Sequence, residues 1–338
     1  MKKSESKNNR KRRRKVFLAF IMILFLALVL TASTYAWFTA NRTVTVESID
    51  VNVSTSKGLQ ISTDATTWKS IVTNNDITTA NWTGVRNQLP KGTNTMVPVS
   101  TVGTVDSSTG YMDMYRGTVE TDLTTGNNIL VAEKSTEANG TSGDFVAFDL
   151  FFQSSQAQTV YLTSNSSVVA SGTDKGIQNA ARVAFIKEGS VAFGASPADA
   201  QVLKGEISKL VWEPNYDVHT ASGVANAQSV YKINVGQEGG DKLAYKGVKA
   251  PIAEATKVEL NSTDTNYFGD ITTVGSVASG IPKTTYINAF DVAEGVTKVR
   301  IYMWIEGQDV DCEDHASGSA LTYNLQFSID SKAPEANG

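Results

Sequence analysis

The sequence predicts an all-β protein: an antiparallel, jelly-roll-like β-sandwich with long loop insertions, preceded by an N-terminal hydrophobic signal helix. Three observations carry that expectation. Short runs of alternating apolar residues recur along the chain, the period of a strand with one buried face. Stretches rich in Gly, Ser, Thr and Asn separate them. Beyond residue 38, helical periodicity is nearly absent. Strands joined by turns, without helices between them, build sandwiches or barrels rather than βαβ units.

The N-terminus comes first. Residues 2–15 carry nine Lys/Arg and one acid, Glu5, and Val16–Leu30 follow without a polar residue. Positive charge stays cytoplasmic while an apolar helix enters the bilayer, so this order is an export signal. A basic arm for nucleic acid would not run straight into an apolar segment. The apolar run makes a helix of roughly 22 Å, and counting on to Phe38 gives roughly 35 Å, against a hydrocarbon core of about 30 Å. Length therefore leaves a cleaved signal and a membrane anchor both open. Small residues at Thr34 and Ala36 favour cleavage after Ala36, with Trp37 as the new N-terminus and residues 37–338 as the extracellular part.

Residues 2–15 hold nine of the 30 basic and one of the 34 acidic residues, so the remainder carries a formal charge of about −12. That balance argues against nucleic acid and anionic lipid as partners. The single cysteine, Cys312, makes no internal disulfide, so an oxidising exterior is met by avoiding cysteine.

Val44 and Val46, then Ile49, Val51 and Val53, alternate with a change of parity between them. A one-residue switch turns the apolar set to the opposite face, which predicts a bulge near Glu47-Ser48. It divides an N-terminal piece, Trp37–Val46, from a strand starting at Ile49. Lys57–Ser62 reads as the hairpin partner, with Gly58 at the turn. Residues 64–143 read as a loop-rich insertion holding Trp68, Trp82, Tyr111 and Tyr115, either buried anchors or a glycan-binding surface.

Phe145–Phe152 is the most apolar internal run and predicts a strand buried on both faces, with Thr159–Thr163 as its neighbour. Ile177–Lys187 holds a helical turn leading into the strand Arg182–Lys187. Pro197–Leu203 predicts a short helix capped by Ser196. Leu210–Asn215 ends in a proline-directed turn, Tyr231–Val235 alternates, and 236–283 form a second loop-rich insertion. The cleanest strands hold Val299, Ile301, Met303 and Ile305, then Leu321, Tyr323, Leu325, Phe327 and Ile329. An acidic loop, Glu306–Gly318, joins them.

That loop is the one candidate constellation. Glu306, Asp309, Asp311, Glu313 and Asp314 offer hard oxygen ligands to Ca²⁺, and Cys312 with His315 could begin a zinc site. The spacing matches no EF-hand, and the alternative is a solvated hairpin loop without cofactor. His219 and His315 are the only histidines, and no H-E-x-x-H, G-x-S-x-G, P-loop or dinucleotide fingerprint occurs, so no enzyme is expected. No Leu-Pro-x-Thr-Gly motif points to covalent attachment to a wall.

A basic start, a long apolar run, Thr34-Tyr35-Ala36 before Trp37-Phe38, and a Val-rich strand together resemble the TasA/camelysin family of Gram-positive bacteria. The likeness is clearest over residues 12–62, with echoes in Phe145–Thr163 and Val299–Ile329. It implies a jelly-roll fold, processing by a SipW-type signal peptidase, and assembly into extracellular biofilm-matrix fibres. In that picture Trp37, Phe38, Val44 and Val46 lie on a strand added to the sheet of a neighbouring copy, the alternative being that Trp37–Val46 pairs within its own subunit. The partners are then the chain itself and cell-wall or matrix components, at the cell surface, anchored there if the signal is not cleaved. Two alternatives stand beside it: a monomeric surface module binding glycan or protein, and a camelysin-like metallopeptidase, for which no metal-binding helix is found.

Overall fold

The computed structural model describes Lys15, Trp37 and residues 44–53, 58–91, 95–172, 175–231, 246–260, 262–277, 279–316 and 318–334. The expected signal over residues 1–36, Lys15 aside, and Phe38 lie outside the described residues. Among those described, no helix is long and apolar enough to cross a membrane.

The apolar run at 145–152 becomes β7 (Val146–Ser154; strands are numbered in chain order), buried on both faces as expected. It belongs to a six-stranded sheet. The order is β15 (Thr273–Gly275), β11 (Ser208–Glu213), β10 (Ala181–Val191), β17 (Gly295–Ile305), β7 and β2 (Gln60–Ser62). A second six-stranded sheet packs on it, ordered β16 (Ile287–Val292), β8 (Gln158–Leu162), β18 (Ala320–Ser328), β1 (Thr45–Val53) and β3 (Ile71–Val72), with β9 (Ser167–Ser171) also on β18. Most pairs are antiparallel, while β1 with β18 and β11 with β15 run parallel. The parity switch in β1 is real: its register with β18 shifts between Val46 and Ser48.

The main core lies between the sheets. Val299, Ile301, Met303 and Ile305 of β17 and Phe148, Leu150 and Phe152 of β7 join Ile49, Val51, Leu325 and Phe327 of the opposite sheet. Phe152, Phe185, Phe290 and Phe327 stack with centroids 4.9–6.3 Å apart. Each such side chain contributes about 1.5–3 kcal/mol by leaving water.

Three expected partnerships are corrected. Residues 60–62 pair with β7 rather than with β1, Ile61 opposite Phe152. Residues 158–162 leave β7 and pair with β16 and β18. The strands flanking the acidic loop form no hairpin, because β17 lies in one sheet and β18 in the other. Alternation tells which face of a strand is apolar but not which sheet it enters, and in each case the chain crosses the sandwich.

The two loop-rich insertions build a third layer together. β5 (Met114–Thr121) and β6 (Asn128–Ser135) form a long hairpin, flanked by β4 (Val99–Ser100) and by β13 (Val258–Glu259) from the other insertion. β12 (Lys246–Val248) pairs with β14 (Phe268–Asp270) beside them. Val99, Met112 and Met114 of this layer pack on Ala147, Ala184, Ile186, Tyr302 and Trp304, on the outer face of the β7 sheet. That sheet is therefore covered on both sides.

Helix is scarce. Thr73 and Asp76 box the turn Asn74–Thr78, and Ser196 and Asp199 do the same for Pro197–Gln201, which stops two residues before the expected Leu203. A 3₁₀ turn at Ile177–Ala180 leads into β10 as expected. The helix Ala221–Asn226, capped by Thr220, is unexpected, because Ala-Ser-Gly-Val-Ala-Asn has no apolar period.

Candidate functional site

Trp37, the residue expected from sequence to follow the N-terminal signal, is 1% exposed. Its indole enters a seat made by the third layer and the loop after β17. Tyr115, Val119, Leu130 and Ala132 come from the β5–β6 hairpin, and Val248, Ile252, Leu260 and Phe268 from the second insertion. Two glycines admit the ring. A β-carbon on Gly117 would stand 3.0 Å from the indole, and one on Gly307 would fall inside it. Gly307 is held in place as its amide donates to Val99 O at 3.0 Å.

The seat is apolar and strained. Trp37 has φ 66°, a left-handed conformation unusual for a bulky side chain, and such strain costs about 1–3 kcal/mol. Its Nε1 has no hydrogen-bond partner among the described residues, a further cost of about 1–3 kcal/mol. Burial of an indole is worth about 3–5 kcal/mol as judged by truncation to alanine. Together these costs, about 2–6 kcal/mol, are of the same size as the gain, so the net hold on the ring is weak.

Seven residues on, Val44 is fully buried and forms a two-way bridge with Met96, at 2.8 and 2.9 Å. Val46 is half-buried against the main core. Trp37, Val44 and Val46, assigned from sequence to a neighbour's sheet, are thus all seated within their own chain. Val46 lies opposite Leu321 as part of β1, which starts at Thr45 rather than at the expected Ile49.

The acidic loop at 306–314 is buried rather than solvated. Glu306 accepts from Trp304 Nε1 at 3.2 Å and from Gln308 N at 3.1 Å. Asp309 meets Arg182 at 2.7 Å, and Arg182 also reaches Glu213 at 2.8 Å. Asp311 takes His219 Nδ1 at 2.9 Å and the Thr220 amide and hydroxyl at 3.0 and 2.7 Å. Glu313 accepts from Ser222, and Asp314 opens a 3₁₀ turn. Cys312 is buried in the main core, which pushes its thiol up; the side chain of His315 lies outside the described residues.

His219, Asp309 and Asp311 bring ligand atoms within 4.8 Å of one another. Calcium demands six to eight oxygens left available to the ion. Here an imidazole and a guanidinium stand among the carboxylates and take up their oxygens by hydrogen bonds.

One guanidinium shared by two carboxylates leaves a deficit of positive charge. Burial, with Asp309 and Asp217 nearby and in spite of Arg182 and His219, pushes Glu213 up to about 7. Burial also raises Asp309 and Glu306. Burial would lower His219, but Asp311, Asp309 and Glu213 raise it. A carboxyl whose folded pKa is raised binds a proton that the unfolded chain has lost, so stability falls as pH rises from the ordinary carboxylate range to about 7. A raised His219 acts with the same sign. Asp64 acts oppositely: its turn hydrogen bonds outweigh burial and hold it at about 2, so its contribution is lost as pH falls from 3.8 through about 2. Melting measured against pH is expected to peak at mildly acidic pH, falling by up to about 1.4 kcal/mol per unit for each proton released toward neutrality. Glu213→Gln should flatten that alkaline limb; an unchanged limb would refute the assignment.

A second polar cluster lies on the outer face of β7, β17 and β10. Arg300 Nη1 meets Asp149 Oδ1 at 2.5 Å, its Nη2 meets Glu137, and its Nε donates to the Tyr302 hydroxyl at 3.2 Å. Lys298 lies 3.1 Å from Asp149 and 2.9 Å from Glu188, and Arg86 reaches Glu188 at 2.5 Å. Burial raises Glu137, and burial with Asp149 raises Glu188. Burial would raise Asp149 too, but Arg300, Lys298 and Arg86 hold it low. Sequence reasoning missed this cluster, because Lys298 and Arg300 occupy the polar positions of β17 that read as solvent-facing.

The loop aromatics serve as anchors. Trp68 and Trp82 pack against Phe151 and its neighbours, and Trp82 Nε1 donates to Thr63 O at 3.1 Å. The Tyr115 hydroxyl donates to Lys249 O at 2.8 Å. The Tyr111 ring lies 5.2 Å from the Arg86 guanidinium and 5.6 Å from that of Arg300. Comparison with family models, with curated proteins and with solved structures gives no match.

Proposed function

We propose that this chain is an exported structural subunit that assembles into extracellular fibres, with the segment Trp37–Val46 as the connecting arm. Residues 1–36 act as the signal, processed by a SipW-type peptidase, and the sandwich is a TasA-like jelly roll. The observation that supports this reading is the seat of Trp37: an apolar socket shaped by two glycines, filled by the residue expected to begin the mature chain. Its net affinity is modest by the balance above, so a copy of the arm from a neighbouring molecule can compete for it. Ten extended residues reach about 33 Å, enough to cross between molecules. A head-to-tail contact of this kind does not close on itself and grows as a filament. The engaged loop aromatics give no separate support to a glycan-binding module.

Deleting residues 37–46 from the mature protein is expected to abolish filaments in electron micrographs while the sandwich still folds by circular dichroism. Filaments formed by the folded, deleted protein would end the proposal.

A further inference from the structure

We propose that Lys298 and Asp149 condense to an intramolecular isopeptide bond tying β17 to β7, with Glu188 as the proton carrier. The reacting groups are already in contact. Lys298 Nζ stands 3.1 Å from Asp149 Oδ2 and 2.9 Å from Glu188 Oε2, and none of the three side chains is more than 1% exposed. Neither of those two oxygens receives a hydrogen bond. The amine donates instead to the main-chain oxygens of Gln201 and Leu203, at 3.0 and 2.7 Å. Close approach without hydrogen-bonding geometry is an arrangement suited to attack.

Strand register creates the approach. Arg300 lies opposite Asp149 and Lys298 opposite Phe151, so Lys298 and Asp149 are diagonal neighbours on one face. On the other side the ladder slips between Lys187 and Gly189, and the extra residue in that bulge is Glu188. The Trp82 and Phe151 rings, centred 5.6 and 6.0 Å from Nζ, keep the site dry.

The step balances without a cofactor. The Lys298 ammonium passes a proton to Glu188, and the freed amine adds to Asp149 Cγ. Negative charge that develops on Oδ1 meets the Arg300 guanidinium, 2.5 Å away. Oδ2 takes one proton back from Glu188 and one from the attacking nitrogen, the C–O bond breaks, and water leaves. An amide N–H remains and Glu188 is regenerated. Lys298 and Asp149 lose one charge of each sign, so Arg86 and Arg300 stay matched by Glu137 and Glu188.

The two carboxyls suit different roles. Burial raises Glu188, as a group that accepts and returns a proton requires. Asp149 is kept anionic by its cations, which makes the condensation slow; a cross-link made once per molecule tolerates that. With Cys312 as its only cysteine, the chain has no disulfide available for the same purpose.

Intact-mass measurement and peptide mapping of the purified full-length mature protein provide the test. The expected result is a chain lighter than its sequence by one water, with a branched peptide whose fragmentation places the link between Lys298 Nζ and Asp149. Lys298→Arg and Glu188→Gln, checked for folding by circular dichroism, should show the mass of their sequences and no branch. Unlinked Lys298 and Asp149 peptides from native protein after prolonged incubation would overturn the proposal, as would a branch at Glu188.

Discussion

Arg300→Met is expected to cost about 3–5 kcal/mol of stability, the loss typical when one partner of a buried ion pair is removed. Arg300 is fully buried and serves Glu137, Asp149 and the Arg86 carbonyl together, the last at 2.9 Å. Methionine matches its length but leaves the Glu137 carboxyl, and that of Asp149 wherever it is not cross-linked, in a place that water does not reach. Desolvation already raises Glu137, so without Arg300 it would take up a proton rather than stay charged. The penalty should therefore shrink as pH is lowered, and Arg300→Lys should recover only part of it, because an ammonium cannot fork to two carboxylates. Denaturant unfolding at neutral and mildly acidic pH measures both. A loss under about 1 kcal/mol at neutral pH would mean that the cluster is open to water or compensated by another cation.

Trp37→Ala and Gly307→Ala are expected to produce nearly the same defect, and the double variant little more than either. Truncating the indole removes about 3–5 kcal/mol of packing, part of it offset by loss of the unbonded Nε1, whereas alanine keeps the β-carbon that makes the left-handed backbone costly. A methyl at Gly307 occupies the space of the ring and expels it. Both changes destroy one interaction, so their effects cannot add. Hydrogen exchange at Gly117 and its neighbours on β5 should report the loss locally, and electron microscopy should report loss of fibres. Additive effects of the two substitutions would show that Gly307 serves the loop rather than the ring.

Much of the strand content was legible in the residues. Phe145–Phe152 could only be buried on both faces, and the parity change between Val46 and Ile49 required the bulge that is found. Ser196 with Pro197 marked a helix start. Pairing was not legible, and the reason is the same for residues 60–62, 158–162 and 306–318. A period of two specifies an apolar face, and both sheets of a sandwich offer one.

Within the candidate site, Trp37 and Val44 were singled out from their place after the apolar run, but their seat draws on residues 115–132, 248–268 and Gly307, far apart in the chain. The acidic loop was visible as a cluster, whereas Arg182 and His219, which answer its charge, lie on elements that nothing in the spacing connects to it.

The sequence by itself determined the all-β class and, for apolar runs such as Phe145–Phe152 and Val299–Ile305, the position of the strand, because these follow from local periodicity. The long hairpin of β5 and β6, in a stretch that read as loop, escaped it. Tertiary structure decided which sheet each strand joins and that the polar face of β17 is buried. The cause is long-range: residues 82–137 of the first insertion and the turn at 201–203 close over a face of β17 whose alternating pattern would otherwise have left Lys298 and Arg300 in water.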